Sequence, residues 1–226
     1  MLPKVPWNLR DVAVVYMVRV TAGLLLVQIV FPILFGQTSS SMIELADRLI
    51  MLGLVWFVVR RSGGSLHSFL MGNHRLGRNI TAGLLAGVVL LGISRYSESL
   101  YAAAFFTTPD RHPLVAQVEQ ALSWEQLLMP LLLAGLAAPV AEEFLYRLLT
   151  FMPLRDRLGL WGGALTSAIV FAVLHFNAYW LAETVIVGVG LALLYYWTGS
   201  LLSSIVAHSF INTTKIIMLF TGVPLV

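Results

Sequence analysis

The sequence predicts an all-α protein, a polytopic transmembrane helix bundle of about seven to eight spans, and three observations carry that prediction. Apolar residues make up 58% of the chain and charged residues only 11%, whereas a soluble domain is nearer half apolar and a quarter charged. The mean hydropathy is +0.85. The apolar residues also fall in long runs, and a helix of roughly 20 apolar residues crosses a hydrocarbon layer about 30 Å thick. No soluble stretch among the 226 residues is long enough to build a second core, so residues 1–226 are read as a single transmembrane domain.

Taken in order, the first span is expected over 11–35, an apolar run interrupted only by Arg19. The second, 42–59, ends in LIMLGLVWFVV, and the third, 79–101, contains ITAGLLAGVVLLGI. The fourth, 125–150, holds LLMPLLLAGLAAPVA followed directly by Glu142 and Glu143, and the fifth, 160–176, holds GGALTSAIVFAVLHF. The sixth covers 181–198 and the seventh 200–221. A short amphipathic or re-entrant segment around 114–122 would be an addition to these. Gly83 and Gly87 in the third span and Gly188 and Gly190 in the sixth permit close helix contact. With seven alternating spans, Lys4, Arg10, Arg60, Arg61, Arg75, Arg78, Arg155 and Arg157 fall on one side, while the opposite loops hold only Arg111 against Asp110 and Glu119. The positive-inside rule places that cationic side, with the N-terminus, in the cytoplasm.

MLPKVPWNLRD runs straight into a span, so no cleavable signal peptide is expected. The C-terminus is not of CaaX type, so the chain is not expected to be prenylated itself. Cysteine is absent, which excludes disulfides and thiolate metal sites. No internal repeat supports an inverted-repeat transporter. No nucleic acid is expected as a partner; the bilayer is.

An ionisable residue inside a span costs on the order of 2.5–3.5 kcal/mol, so each needs a reason. Asp47, Arg48 and Glu183 lie near span ends and are expected at the interface, Arg95 and Glu98 sit three apart near a helix end and are expected to pair, and Lys215 is expected to snorkel to the interface. Arg19 is deeper and suits the polar centre of a bundle. Glu143 and Arg147 are four apart, share a helix face and can pair. Glu142 is rotated from its neighbour by about 100° and must point elsewhere. Pro139, just upstream, removes a backbone hydrogen bond where a cavity could open. In the fifth span Phe171 and His175 share a face, as do His208 and Asn212 in the seventh.

These group types define a chemistry. A carboxylate and an imidazole beside a water can deprotonate it for attack on a carbonyl. A second imidazole and an amide can donate to the oxyanion that forms. Glu142, His175 and His208 would alternatively make a zinc triad with one open position, although the H-E-x-x-H helix of soluble zinc proteases is absent. Two other classes fit a buried Glu/His set: an immunity or scaffold protein that binds a peptide without cleaving it, and a proton-coupled transporter.

Glu142-Glu143-x-x-x-Arg147, Phe171-x-x-x-His175 and His208-x-x-x-Asn212, in that order on successive spans, resemble the CPBP family, the CAAX-protease and bacteriocin-processing (Abi) intramembrane proteases. The resemblance covers about residues 125–215 and includes WTGSLLSSIVAHSFIN. Many members carry Gly after the motif arginine, where this chain has Leu148. The resemblance implies an intramembrane endopeptidase in which Glu142 and His175 activate water and His208 and Asn212 stabilise the oxyanion, with Glu143, Arg147 and Phe171 shaping the site. It implies a glutamate protease without a cofactor, with zinc as the alternative. The implied substrate is a peptide or a membrane-anchored protein, prenylated in the eukaryotic branch, and the compact loops fit a prokaryotic plasma-membrane member. Counting rises along these spans puts Glu142 and His208 about 12 Å below the cytoplasmic border and His175 about 10 Å deeper than either.

Overall fold

The computed structural model describes residues 2–36, 39–72, 76–105 and 113–223, which form eight helices with no strand among them. Arg75, Asp110 and Arg111, used above in the charge argument, lie outside the described residues. Five helices are long and apolar enough to cross a membrane.

Helix α1, Leu9–Phe35, opens on a capping box in which the Asn8 side chain accepts from the Arg10 N–H at 2.8 Å and Asp11 accepts from the Asn8 N–H at 2.9 Å. Few of its residues are buried, and Leu24 and Ile33 are 57% and 76% exposed, as befits a helix at the lipid boundary. Helix α2, Ser40–Arg61, buries Met51, Val55 and Val59, an i, i+4, i+8 stripe facing the core. It forms in place of the second expected span, but it is not among the five, because Glu44, Asp47 and Arg48 fall within its first nine residues. Two short helices, α3 (Leu66–Met71) and α5 (Pro113–Glu119), flank α4, Leu76–Phe105. The segment around 114–122 is therefore a short helix, with Val118 fully buried.

The fourth and fifth expected spans are the two legs of a helical hairpin, α6, Trp124–Val173, broken at Gly159, where the backbone is not helical. Gly159 has φ +73°, a left-handed conformation that glycine adopts without a Cβ penalty. The hairpin register is set where Ser167 Oγ donates to Tyr146 O at 2.9 Å and where a Cβ on Gly163 would stand 2.5 Å from Arg155 N. Helices α7 (Leu181–Thr198) and α8 (Leu201–Phe220) complete the bundle, joined at Gly199. Helix α8 packs along α4, and the second leg of α6 along α7. Of the four glycines singled out in the sequence, Gly83 and Gly87 lie at the first of these contacts, Gly188 at the second, and Gly190 where α7 meets α4. A Cβ on Gly83 would meet Ser203 O at 2.7 Å, on Gly87 the Phe210 ring at 3.0 Å, on Gly188 Ala168 at 2.9 Å and on Gly190 Leu90 at 2.4 Å.

The cation-rich segments meet at one end of the bundle. Arg155 donates to the carbonyls of Leu2 and Pro3, Trp7 stacks edge-on against Phe69 at 5.8 Å, and Ser200 Oγ donates to Leu70 O at 2.8 Å. The hairpin also resolves the depth of His175. Glu142 and His175 stand nearly equidistant in sequence from Gly159, each roughly 25 Å along its leg, whereas His208 is only roughly 10 Å from the start of α8. Because His208 is level with Glu142, the Gly159 turn projects past the Ser200 end, carrying exposed Leu158 and Trp161 with it. His175 is thus not too deep, since its leg begins outside the level at which α8 begins.

Candidate active site

The first leg of α6 is built around prolines. Pro130, Pro139 and Pro153 each lack the N–H that an α-helix needs, and the leg widens to π-helical turns over Leu131–Ala137 and Glu143–Phe151. Such turns recur at functional sites because they redirect side chains. Every residue from Glu143 to Phe151 is buried, so this segment is the axis of the bundle.

Glu143 and Arg147 are both 0% exposed, with Arg147 Nε 3.1 Å from Glu143 Oε2. The other oxygen of Glu143, Oε1, accepts from His208 Nδ1 at 2.9 Å. The Arg147 guanidinium lies over the Phe171 ring, 4.6 Å from its centroid, a cation–π contact in a desolvated setting. Phe171 also meets both imidazoles edge-on, His175 at 4.5 Å and His208 at 5.9 Å between ring centres. Glu143, Arg147 and Phe171 therefore form the frame against which the two histidines are held.

Glu142 is on the other face of the leg. It lines a cavity of about 400 Å³ together with His175, His208 and Asn212, and its Oε2 is 3.8 Å from His208 Nε2. The four residues expected to carry the chemistry thus share one cavity. The imidazole tautomers follow from their partners. His175 sits in the turn just after the helical segment that ends at Val173, and its Nδ1 is 2.7 Å from Phe171 O. A carbonyl only accepts, so Nδ1–H donates and Nε2 of the neutral ring is left as a base. His208 likewise commits Nδ1–H to Glu143, which leaves Nε2 as its cavity-side nitrogen.

Asn212 is fixed by the backbone. The Ala138 N–H donates to Leu133 O, five residues back. The next carbonyl in that register, Ala134 O, would need the N–H of Pro139, which does not exist. Asn212 Nδ2 supplies it at 2.9 Å, and its second N–H remains for another acceptor.

Among the described residues, no three His, Cys, Asp or Glu side chains are placed to hold a metal ion together. Glu142, His175 and His208 share the cavity.

Four residues expected at the membrane interface line the cavity. Lys215 pairs with Glu98 at 3.0 Å and with Glu183, and Ser94 Oγ donates to Glu183 at 2.6 Å. Glu98 and Glu183 are buried, so Lys215 turns inward to neutralise them rather than snorkelling out. Asp47 accepts both nitrogens of a bidentate Arg19 at 2.8 Å, which places Arg19 at the polar centre as expected and draws Asp47 in with it. Arg48 lines the same wall. The common signal in the sequence was charge within reach of apolar runs. What the sequence lacked was any sign that α2, α4, α7 and α8 turn those charges toward one space.

Residues 124–214 match the family described as type II CAAX prenyl endopeptidase Rce1-like. No curated protein and no solved structure matches the chain. The matched segment contains Glu142, Glu143, Arg147, Phe171, His175, His208 and Asn212, and leaves α1 to α5 outside it.

Proposed function

We propose that this chain, an integral membrane protein whose residues 124–214 belong to the CAAX-protease family, hydrolyses a peptide bond in the cavity below its cation-rich end, using Glu142 as the general base. The observation that carries the reading is the division of labour between adjacent carboxylates. Glu143 is committed to Arg147 and His208, whereas Glu142 faces the cavity and Nε2 of His208.

In this mechanism a water sits between Glu142 and His175 Nε2. Glu142 takes its proton as the oxygen attacks the scissile carbonyl. The oxyanion accepts hydrogen bonds from the Nε2–H of His208, as imidazolium, and from the free Nδ2–H of Asn212. The proton held on Glu142 passes to the leaving nitrogen as the C–N bond breaks, giving one carboxylate and one amine. No metal step is needed. The substrate is a peptide or a membrane-anchored protein, with a prenylated tail as the family's own example.

The test is to reconstitute the wild type and Glu142→Gln in liposomes with a peptide library that includes farnesylated CaaX tails, and to identify products by mass spectrometry. Cleavage by the wild type alone supports the reading. Cleavage by both removes Glu142 as the base, and cleavage by neither favours a binding or immunity role.

The orientation belongs to the same reading: the cation-rich end, with the N-terminus, faces the cytoplasm of a prokaryotic cell. The chain has no cysteine, so a single Ser62→Cys should react with an impermeant maleimide only from the cytoplasmic side, and labelling from outside would invert the assignment.

A further inference from the structure

The cavity wall carries three cations outside the motif helices' charge pair, and they are not equally satisfied. Arg19 is held by both oxygens of Asp47 at 2.8 Å. Lys215 is held by Glu98 and Glu183. Among the described residues, Arg48 has only two longer ion pairs and no carboxylate within hydrogen-bond reach. Its nearest carboxylate oxygens are Glu44 Oε2 at 3.6 Å and Asp47 Oδ2 at 3.8 Å, beyond hydrogen-bond reach, and Asp47 is already taken by Arg19. Its one hydrogen bond among the described residues runs from Nη1 to Glu44 O at 3.2 Å, in its own helix. Its Nε is buried with no acceptor at all. A guanidinium has five N–H donors and is never neutral, so Arg48 lines the cavity with most of its donors unspent.

A buried donor without an acceptor costs stability, more so for a charged group. Arg19 and Lys215 are each held within hydrogen-bond distance of a carboxylate, whereas Arg48 is matched only at longer range. Arg48 also acts electrostatically on Glu142, which puts its charge within range of the reacting centre, yet it stands on α2, outside the segment that matches the family. We infer that Arg48 is a specificity-determining residue that binds a carboxylate of the substrate, holding the peptide in the cavity beyond Glu142. This rests on the peptidase reading for its purpose, but not for its detection. Two sources supply such a group, the peptide's own C-terminal carboxylate or an acidic side chain within it.

The experiment measures binding rather than turnover. Three probes are titrated onto wild type, Arg48→Gln and Arg48→Lys in detergent by microscale thermophoresis: an apolar decapeptide with a free C-terminus, its carboxamide, and the carboxamide carrying one internal Glu. A hydrogen-bonded charge of this kind corresponds to a preference of about tenfold to a hundredfold. Wild type should prefer a carboxylate-bearing probe over the plain carboxamide by that factor, and Arg48→Gln should bring the ratio to about one. Arg48→Lys, which keeps the charge but not the planar fork, should keep part of the preference, and it serves if the Gln variant fails to fold by its melting curve. Which of the two acidic probes is preferred identifies the source. No preference in the wild type, no binding of any probe, or a preference that survives Arg48→Gln would overturn the inference. Failure of the peptidase reading is seen separately, as carboxylate-selective binding without cleavage of any peptide.

Discussion

Replacing Arg147 with Met removes the cation at the centre of the frame while nearly keeping its volume. Glu143 then stays buried with His208 as its remaining partner. Breaking a buried ion pair by removing one member costs about 3–5 kcal/mol, because the other charge remains uncompensated. His208 at 2.9 Å softens this to about 3 kcal/mol, and loss of the contact with Phe171 adds about 1–2 kcal/mol. The total, about 4–5 kcal/mol, corresponds to a fall in Tm of about 8–20 °C at about 2–4 °C per kcal/mol for a chain of this size. Thermal melting in detergent reads it directly. The double variant Glu143→Gln/Arg147→Met should be less destabilised than the sum of its single variants by about 2 kcal/mol, since it leaves no orphaned charge. A single-variant loss below about 1 kcal/mol, or additivity within about 0.5 kcal/mol, would refute the claim that the pair holds the frame.

Three further outcomes are expected. Asn212→Ala should orphan Ala134 O and cost about 1–3 kcal/mol; adding Pro139→Ala, which restores an N–H, should recover stability in a melting curve but not peptidase activity, and recovery of both would remove Asn212 from the chemistry. Lys215→Met should cost about 3–5 kcal/mol by leaving Glu98 and Glu183 unpaired, and a Tm unchanged within 2 °C would show that the triad is not formed. Gly190→Ala should lower stability by about 1–3 kcal/mol through overpacking against Leu90, whereas Gly92→Ala, whose Cβ would meet nothing within 4 Å, should not.

Short-range features of the site were legible in the sequence. Residues 143 and 147 are one helical turn apart, so their pairing and the different facing of Glu142, about 100° around the helix, follow from helix geometry alone. The shared faces of Phe171 with His175 and of His208 with Asn212 are legible for the same reason. The contacts that join those faces were not. His208 reaches Glu143 across 65 residues, and Asn212 reaches Ala134 across 78, and no periodicity encodes such distances. Span borders misled where the helix continued: Arg155, Asp156 and Arg157 end the apolar run, yet the chain stays helical through them and turns only at Gly159. Hydropathy reads the solvent, not the hydrogen bonding, and so placed His175 too deep. It likewise read Glu183 and Lys215 as interfacial because each lies near a helix end, while their place in the cavity wall depends on their pairing across α7 and α8.

The most direct test of the account compares Glu142→Gln with Glu143→Gln on one cleaved peptide, in liposomes, with melting curves alongside. If Glu142 is the base and Glu143 a positioning residue, Glu142→Gln should melt near the wild type and lose about 10²–10⁴-fold in rate. Glu143→Gln should lose stability and a smaller share of activity, because an amide can still accept from His208 Nδ1–H. Equal rates for wild type and Glu142→Gln, or a larger catalytic loss in Glu143→Gln with its fold intact, would contradict the division of roles between the two adjacent carboxylates.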